Sequence, residues 1–241
     1  MKKTIQWIAA VALMSCTVQA SLVFTDNFTG SNGAALTNTW VNTGYVASPL
    51  AGYNILSNKA QLIGLTPTLT YNTTYASLND GDNSFTAEVT AQLNIAPGNV
   101  NTAVGLAINA QDATHYYGVR LNGAGTVNVY QVGGRGPLSL VSFSNAVTFV
   151  QNRAYRFVVS SDTPYTFNIS VADTENSANT FSTTWTDTYS NFKDGYAGLY
   201  SAGNTIHTFD DFSITVIPEP STVGLFVISG AAVFALRRKM R

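Results

Sequence analysis

Cysteine is almost missing from this chain of 241 residues: the one present, Cys16, lies within the first twenty. With those twenty removed, no disulfide and no thiolate chemistry is available to the rest of the chain. Histidine is nearly as scarce. His115 and His207 have no third nitrogen ligand and no metal-type spacing, so neither a zinc site nor a Ser-His-Asp triad is supported. A Gly-x-Ser-x-Gly elbow is also absent. Charged residues make up only 10% of the chain, and six of its twelve Lys and Arg lie at the two ends. Between Ser21 and Ile217, six cations face twelve acids, a net charge of −6. That balance argues against a nucleic-acid partner, whose phosphates require clustered Lys and Arg.

What is present at the ends concerns destination. Lys2 and Lys3 precede the apolar stretch Ile5 to Met14, and Val18-Gln19-Ala20 closes it with a small residue, Ala20. Residues 1–20 therefore read as a signal peptide with a short apolar helix, cut by signal peptidase after Ala20. Leu13-Met14-Ser15-Cys16 offers an alternative as a weak lipobox that lipidates Cys16. At the other end, residues 217–241 run Ile-Pro-Glu-Pro, an uncharged apolar stretch, then Arg-Arg-Lys-Met-Arg. Pro218 and Pro220 prevent a helix from reaching back into the preceding segment. A transmembrane helix over 221–236 spans about 24 Å, short against a hydrocarbon core of roughly 30 Å. The basic tail 237–241 stays on the cytoplasmic side, which leaves everything before it outside.

Pro218, Glu219 and Pro220, the short apolar helix, and Arg237 and Arg238 together resemble the PEP-CTERM sorting signal of Gram-negative envelope proteins. The resemblance implies recognition by an exosortase, a membrane-embedded cysteine protease-transpeptidase, with processing near the Pro-Glu-Pro. It implies a membrane-anchored precursor that continues to the cell surface or extracellular matrix.

The stretch 21–216 is rich in Thr, Asn, Ser, Gly, Val and Tyr and shows no sustained helical period. Alternation is clear instead. Phe85, Ala87, Val89, Ala91 and Leu93 share one face of a strand, as do Val104, Leu106 and Ile108. Tyr117-Val119-Leu121, Val127-Val129, Tyr155-Phe157-Val159 and Phe167-Ile169-Val171 repeat the pattern, each reading as a half-buried strand. Asn79-Asp80-Gly81, Pro97-Gly98-Asn99, Asn122 to Gly125, Gly133 to Pro137 and Asp162-Thr163-Pro164 supply the turns. The class is all-β: two antiparallel sheets packed face to face in one domain.

The order of segments, from Asp26-Asn27-Phe28 with Trp40, through Asp112 to Leu121 and Arg153 to Phe157, to Gly195 to Tyr200 and Phe209 to Ile214, resembles the concanavalin A-like lectin/glucanase jelly roll, in its laminin-G-like bacterial form. The resemblance implies that first and last strands pair, bringing Phe28 and Phe212 together. It also implies a place to look for catalysis, because glucanases of this fold carry Glu-x-Asp-x-x-Glu. Here that region is Glu88-Val89-Thr90-Ala91-Gln92, and Glu88 and Glu175 are the two Glu of the domain. Retaining hydrolysis needs two carboxyl groups about 5 Å apart, so the expectation is a protein without catalysis.

The remaining signal is aromatic. Tyr116, Tyr130, Tyr165, Trp185 and Tyr189 offer flat rings for sugar stacking, and Arg120 and Asn128 offer hydrogen bonds to hydroxyls. Tyr116, Arg120, Asn128, Tyr130 and Trp185 form the expected glycan-binding set, with exopolysaccharide as the ligand class. Asp26 and Asp210 are candidate ligands for a structural calcium, against the plainer reading of turn and solvent contacts. His115 reads as a solvated loop residue. The functions supported rank as glycan binding at the cell envelope, then a purely structural surface role, then glycan cleavage through unrecognised Asp residues.

Overall fold

Alternating apolar residues at strand period bury one face of each segment and leave the other free, and two such sheets close on each other. The computed structural model describes residues 21–34, 36, 40–44, 52–63, 68–72, 84–112, 114–134, 140–202 and 207–217. The strands are β1 (Ser21–Asp26), β2 (Trp40–Gly44), β3 (Gly52–Ile55), β4 (Ala60–Ile63), β5 (Thr68–Asn72), β6 (Ser84–Gln92), β7 (Ala103–Asp112) and β8 (His115–Asn122). They continue with β9 (Val127–Val132), β10 (Leu140–Phe143), β11 (Ala154–Thr163), β12 (Thr166–Asp173), β13 (Thr180–Thr186), β14 (Tyr196–Ala202) and β15 (Thr208–Ile217). One sheet runs β13-β12-β11-β6-β15-β4-β3, with β1 also on β15; the other runs β10-β9-β8-β7-β14-β5-β2. The unit Leu22–Val216 is an all-β sandwich of two antiparallel sheets.

The register explains the core. Phe157 pairs with Val89 on one side and Val171 on the other, and all three point between the sheets. The facing sheet contributes Val104, Leu106, Ile108, Tyr117, Val119, Leu121, Val127, Val129 and Leu199. Each fully buried Leu, Val or Phe stabilises by about 1.5–3 kcal/mol relative to exposure. Phe143 and Phe181, 4.9 Å between centroids, join the outermost described strands of the two sheets.

Two strand residues at positive φ break the alternation. Asp211 sits at φ 51° and inserts one extra residue, so Phe209 and Phe212, three apart, both enter the core. Asp210 and Asp211 therefore do not simply alternate between faces. In β7, Asn109 at φ 49° shifts the register against β8 and β14. The turn after β8 depends on glycine. Gly125 has φ 72°, and a Cβ there would meet the Val147 carbonyl oxygen at 2.1 Å.

β1 pairs with β15 as expected, and the aromatic cluster beside that pair is organised by Trp40. Its ring lies 5.0 Å from Phe212 and 5.6 Å from Phe28, so one indole links the two phenylalanines. The signal peptide, the Pro218-Glu219-Pro220 motif, the transmembrane helix and the basic tail lie outside the described residues, as does the Asn79-Asp80-Gly81 turn. No helix among the described residues is long and apolar enough to cross a membrane.

Candidate functional site

β7 and β8 are not half-buried: both of their faces are covered, because the outer face of the seven-stranded sheet carries its own cluster. Where Tyr117, Val119 and Leu121 turn inward, Tyr116, Gly118 and Arg120 turn outward. β9 adds Asn128 and Tyr130 to that outer face, and β14 adds Tyr200. The centre of the face is made of small residues, since Gly105 pairs with both Arg120 and Tyr200, and Gly118 with Ala107 and Tyr130. The Tyr130 ring occupies the space Gly118 leaves, while Gly105 lets the β8 backbone at Val119 and Arg120 come close.

Tyr116, Tyr130 and Tyr200 form a triangle with centroid separations of 6.1, 6.2 and 5.7 Å, two contacts being edge-to-face and one tilted. Arg120 stacks on it, with Cζ 4.8 Å from the Tyr130 centroid. Its Nε donates to Asn128 Oδ1 at 3.3 Å and its Nη1 to the Tyr200 hydroxyl at 3.5 Å. Asn128 Nδ2 in turn donates to Ser142 Oγ at 2.8 Å. Burial pushes the Tyr130 hydroxyl far above its ordinary range; Tyr200 and Tyr116 add to the shift and Arg120 opposes it. That hydroxyl stays neutral and makes no hydrogen bond of good geometry. The three rings are 6–7% exposed, so Arg120, which is half-buried, is the member of the cluster that reaches solvent.

The structure thus brings together four of the five expected binding residues, Tyr116, Arg120, Asn128 and Tyr130. Trp185 lies apart from them. Its indole stacks on Phe167 at 5.8 Å and meets Tyr117 edge-on at 5.4 Å inside the sandwich, on the face opposite to the tyrosine cluster. Tyr200, absent from the expected set, packs in the cluster with Tyr116 and Tyr130. The alternation of Tyr200 with buried Leu199 is the signal that identifies it.

The other candidates sit apart. Tyr165 occupies the β11–β12 turn at φ 68°, and Tyr189 is exposed on the loop after β13. That loop is pinned by buried Asp187, which accepts hydrogen bonds from the Tyr117 hydroxyl (2.6 Å), the Asn191 N–H (2.8 Å) and the Tyr189 N–H (2.9 Å). Despite its burial, these donors hold the Asp187 carboxyl below the usual range. His115, partly exposed, pairs through Nδ1 with Asp112 at 2.9 Å and so is tied to its turn.

Asp26, offered for calcium, has both oxygens engaged: Oδ1 accepts from Phe28 N–H at 2.7 Å and Oδ2 from Trp40 Nε1 at 2.8 Å. Asp210 Oδ1 accepts from the Asp211 N–H at 3.0 Å, inside the bulge. Among the described residues no group of three or more His, Cys, Asp or Glu could hold a metal. Neither Glu is free: Glu88 is paired with Arg156 and Glu175 with Arg153. A second surface, a shallow groove of about 400 Å³ outside β11–β13, is lined by Ser160, Asn168, Ser170, Ser182 and Thr184.

Comparison with known proteins adds two findings. Residues 216–239 match the model of the PEP-CTERM protein-sorting motif, and such a signal implies export through an exosortase-type system. The sandwich is similar to solved jelly-roll structures. One is a carbohydrate-binding module from Bacillus subtilis (17% identity, 73% of this chain and 94% of that one, TM-score 0.54). Another is an endo-1,3-beta-glucanase from Streptomyces sioyaensis (13%, 82% and 96%, 0.58). A third is a lectin from Griffonia simplicifolia (10%, 81% and 99%, 0.55). At these identities the likeness shows the concanavalin A-like fold alone. No curated protein matches the chain in sequence.

Proposed function

We propose that this chain is an exported cell-envelope protein whose jelly roll binds glycan, without catalysis, on the outer face of the seven-stranded sheet. One observation carries the reading: half-buried Arg120 stands on a platform of three tyrosines, braced by buried Asn128, an arrangement that presents guanidinium donors over apolar rings to a sugar. The carbohydrate-binding module and lectin among the similar folds favour the same ligand class. Glu88 and Glu175 are each tied to an arginine, which favours binding over hydrolysis.

The reading continues to the chain ends. Signal peptidase removes residues 1–20, and the 221–236 helix holds the precursor in the membrane with the domain outside. An exosortase-type protease-transpeptidase then acts near Pro218-Glu219-Pro220, with Arg237 and Arg238 as the cytoplasmic stop. Mass spectrometry of the protein from producing cells tests this part; a C-terminus still at Arg241 would defeat it.

A purely structural surface role is the second reading, favoured by the low exposure of the three tyrosines. A glycan array probed with the mature protein separates the two. Glycan binding predicts retention that Arg120→Gln weakens at least tenfold and that Ser182→Ala with Thr184→Ala, in the groove of the other sheet, leaves unchanged. Absence of retention on every glycan favours the structural role.

A further inference from the structure

The other described arginines of this domain, Arg153 and Arg156, are matched to acids. Arg153 Nη1 lies 2.9 Å from Asp173 Oδ2 and its Nε 3.4 Å from Glu175. Arg156 grips Glu88 through both Nε and Nη2, the latter at 2.7 Å. Arg120 is different. Among the described residues it has no carboxylate partner, although acids outnumber cations two to one in this domain. Its acceptors are a neutral amide and a phenol at 3.3 and 3.5 Å, long for a cation whose charge-assisted bonds run at about 2.7–2.9 Å. No described residue accepts from Nη2.

A half-buried guanidinium without a counter-charge is costly to keep. The Tyr130 ring offsets only part of that cost, because a cation–π contact does not replace the water removed from the N–H groups. The ring does hold the guanidinium plane in place, and Asn128, anchored by Ser142, fixes its Nε. What is left is a rigid, planar fork whose complement is a carboxylate bound through two parallel N–H···O bonds.

Resting on the glycan-binding reading above, we infer that the ligand is an acidic glycan, and that a sugar carboxylate, as in a uronic acid, is the group Arg120 receives.

Calorimetric titration of the mature protein tests this with a panel of uronate oligosaccharides, their methyl esters, sulfated oligosaccharides and neutral oligosaccharides. The esters keep the shape and remove the charge. The expected result is at least tenfold tighter binding of a uronate than of its ester, and of the uronate than of its sulfated counterpart. Arg120→Gln abolishes the difference, and Arg120→Lys, which keeps charge without the fork, recovers only part of it.

Equal binding of acid and ester sinks the carboxylate assignment while leaving glycan binding in place. A preference for sulfate moves the site to another anion and equally overturns the carboxylate. If no member of the panel binds, both readings fall. A ligand-free readout is also available: because no described carboxylate balances its charge, Arg120→Gln leaves Tm unchanged or raised. A clear fall in Tm would mean that Arg120 is a structural clamp, and the inference would be wrong.

Discussion

The ring of Tyr130 occupies the place where Gly118, its directly opposed partner on β8, lacks a side chain: a Cβ at 118 would lie 2.4 Å from Tyr130 Cζ. The glycine is thus what lets the tyrosine lie low enough to carry Arg120.

Gly118→Ala therefore displaces the far end of the Tyr130 ring instead of the backbone. Because that ring is buried against Tyr116, Tyr200 and Arg120, the displacement disturbs the cluster and destabilises by about 1–3 kcal/mol, the usual cost of overpacking. Glycan affinity falls, since Arg120 loses its support. Differential scanning calorimetry beside a binding titration checks both; a loss of Tm with intact binding would contradict it.

Asp26 serves two buried donors, the Trp40 indole and the Phe28 amide. Asp26→Ala leaves both without an acceptor, at about 1–3 kcal/mol, and lowers Tm by roughly 2–4 °C per kcal/mol in a domain of this size. A chelator leaves the Tm of the wild-type protein unchanged, because the carboxylate is engaged by N–H donors. A chelator-induced fall of several degrees would instead restore calcium to this position.

His207 is fully buried, and burial lowers its pKa from 6.5 to about 4. The unfolded chain takes up a proton as pH falls through 6.5, while the folded chain stays neutral until about 4. Stability from this group is complete above pH 6.5 and is lost across that window, by about 3 kcal/mol in all. Urea denaturation between pH 7.5 and 4 shows the slope, and His207→Leu flattens it whatever the variant's overall stability. The buried carboxylates Asp173 and Asp187 have lowered pKa values, so their contribution is lost at more acid pH, as it falls through those values.

Tyr117→Phe removes the hydroxyl that joins Asp187 to the Phe192 amide. The amide is left without its acceptor in a buried position, at about 1–3 kcal/mol. Asp187 keeps the N–H groups of Tyr189 and Asn191, so the loop loosens without unfolding. Hydrogen exchange localises the effect: faster exchange at 187–192 and unchanged exchange in β6 and β11 is the expected pattern.

Strand identity was legible where one rule governs. β6, β11 and β12 alternate without interruption, and Phe85 to Leu93, Tyr155 to Val159 and Phe167 to Val171 lie in the core as their spacing requires. The rule failed at bulges, because a single residue at positive φ, Asn109 or Asp211, leaves no mark in a local pattern of hydrophobicity. It also failed to sort aromatic residues. Trp185 alternates with threonines on an outer strand, yet register opposite Phe167 puts it on the core face, where the two rings stack. Tyr116 and Arg120 were readable as neighbours on one strand, whereas Tyr200 joins them through β7, across 80 residues of sequence.

β15, the last strand before the sorting tail, is an interior member of its sheet, bonded along both sides by β6 and by β4 and β1. A pull on the chain from its C-terminal side therefore loads the middle of the fabric and not its hem. Both flanking seams must slide together before the strand yields, a shear mode that shares tension over many bonds at once. An edge strand under the same pull would unzip one bond at a time.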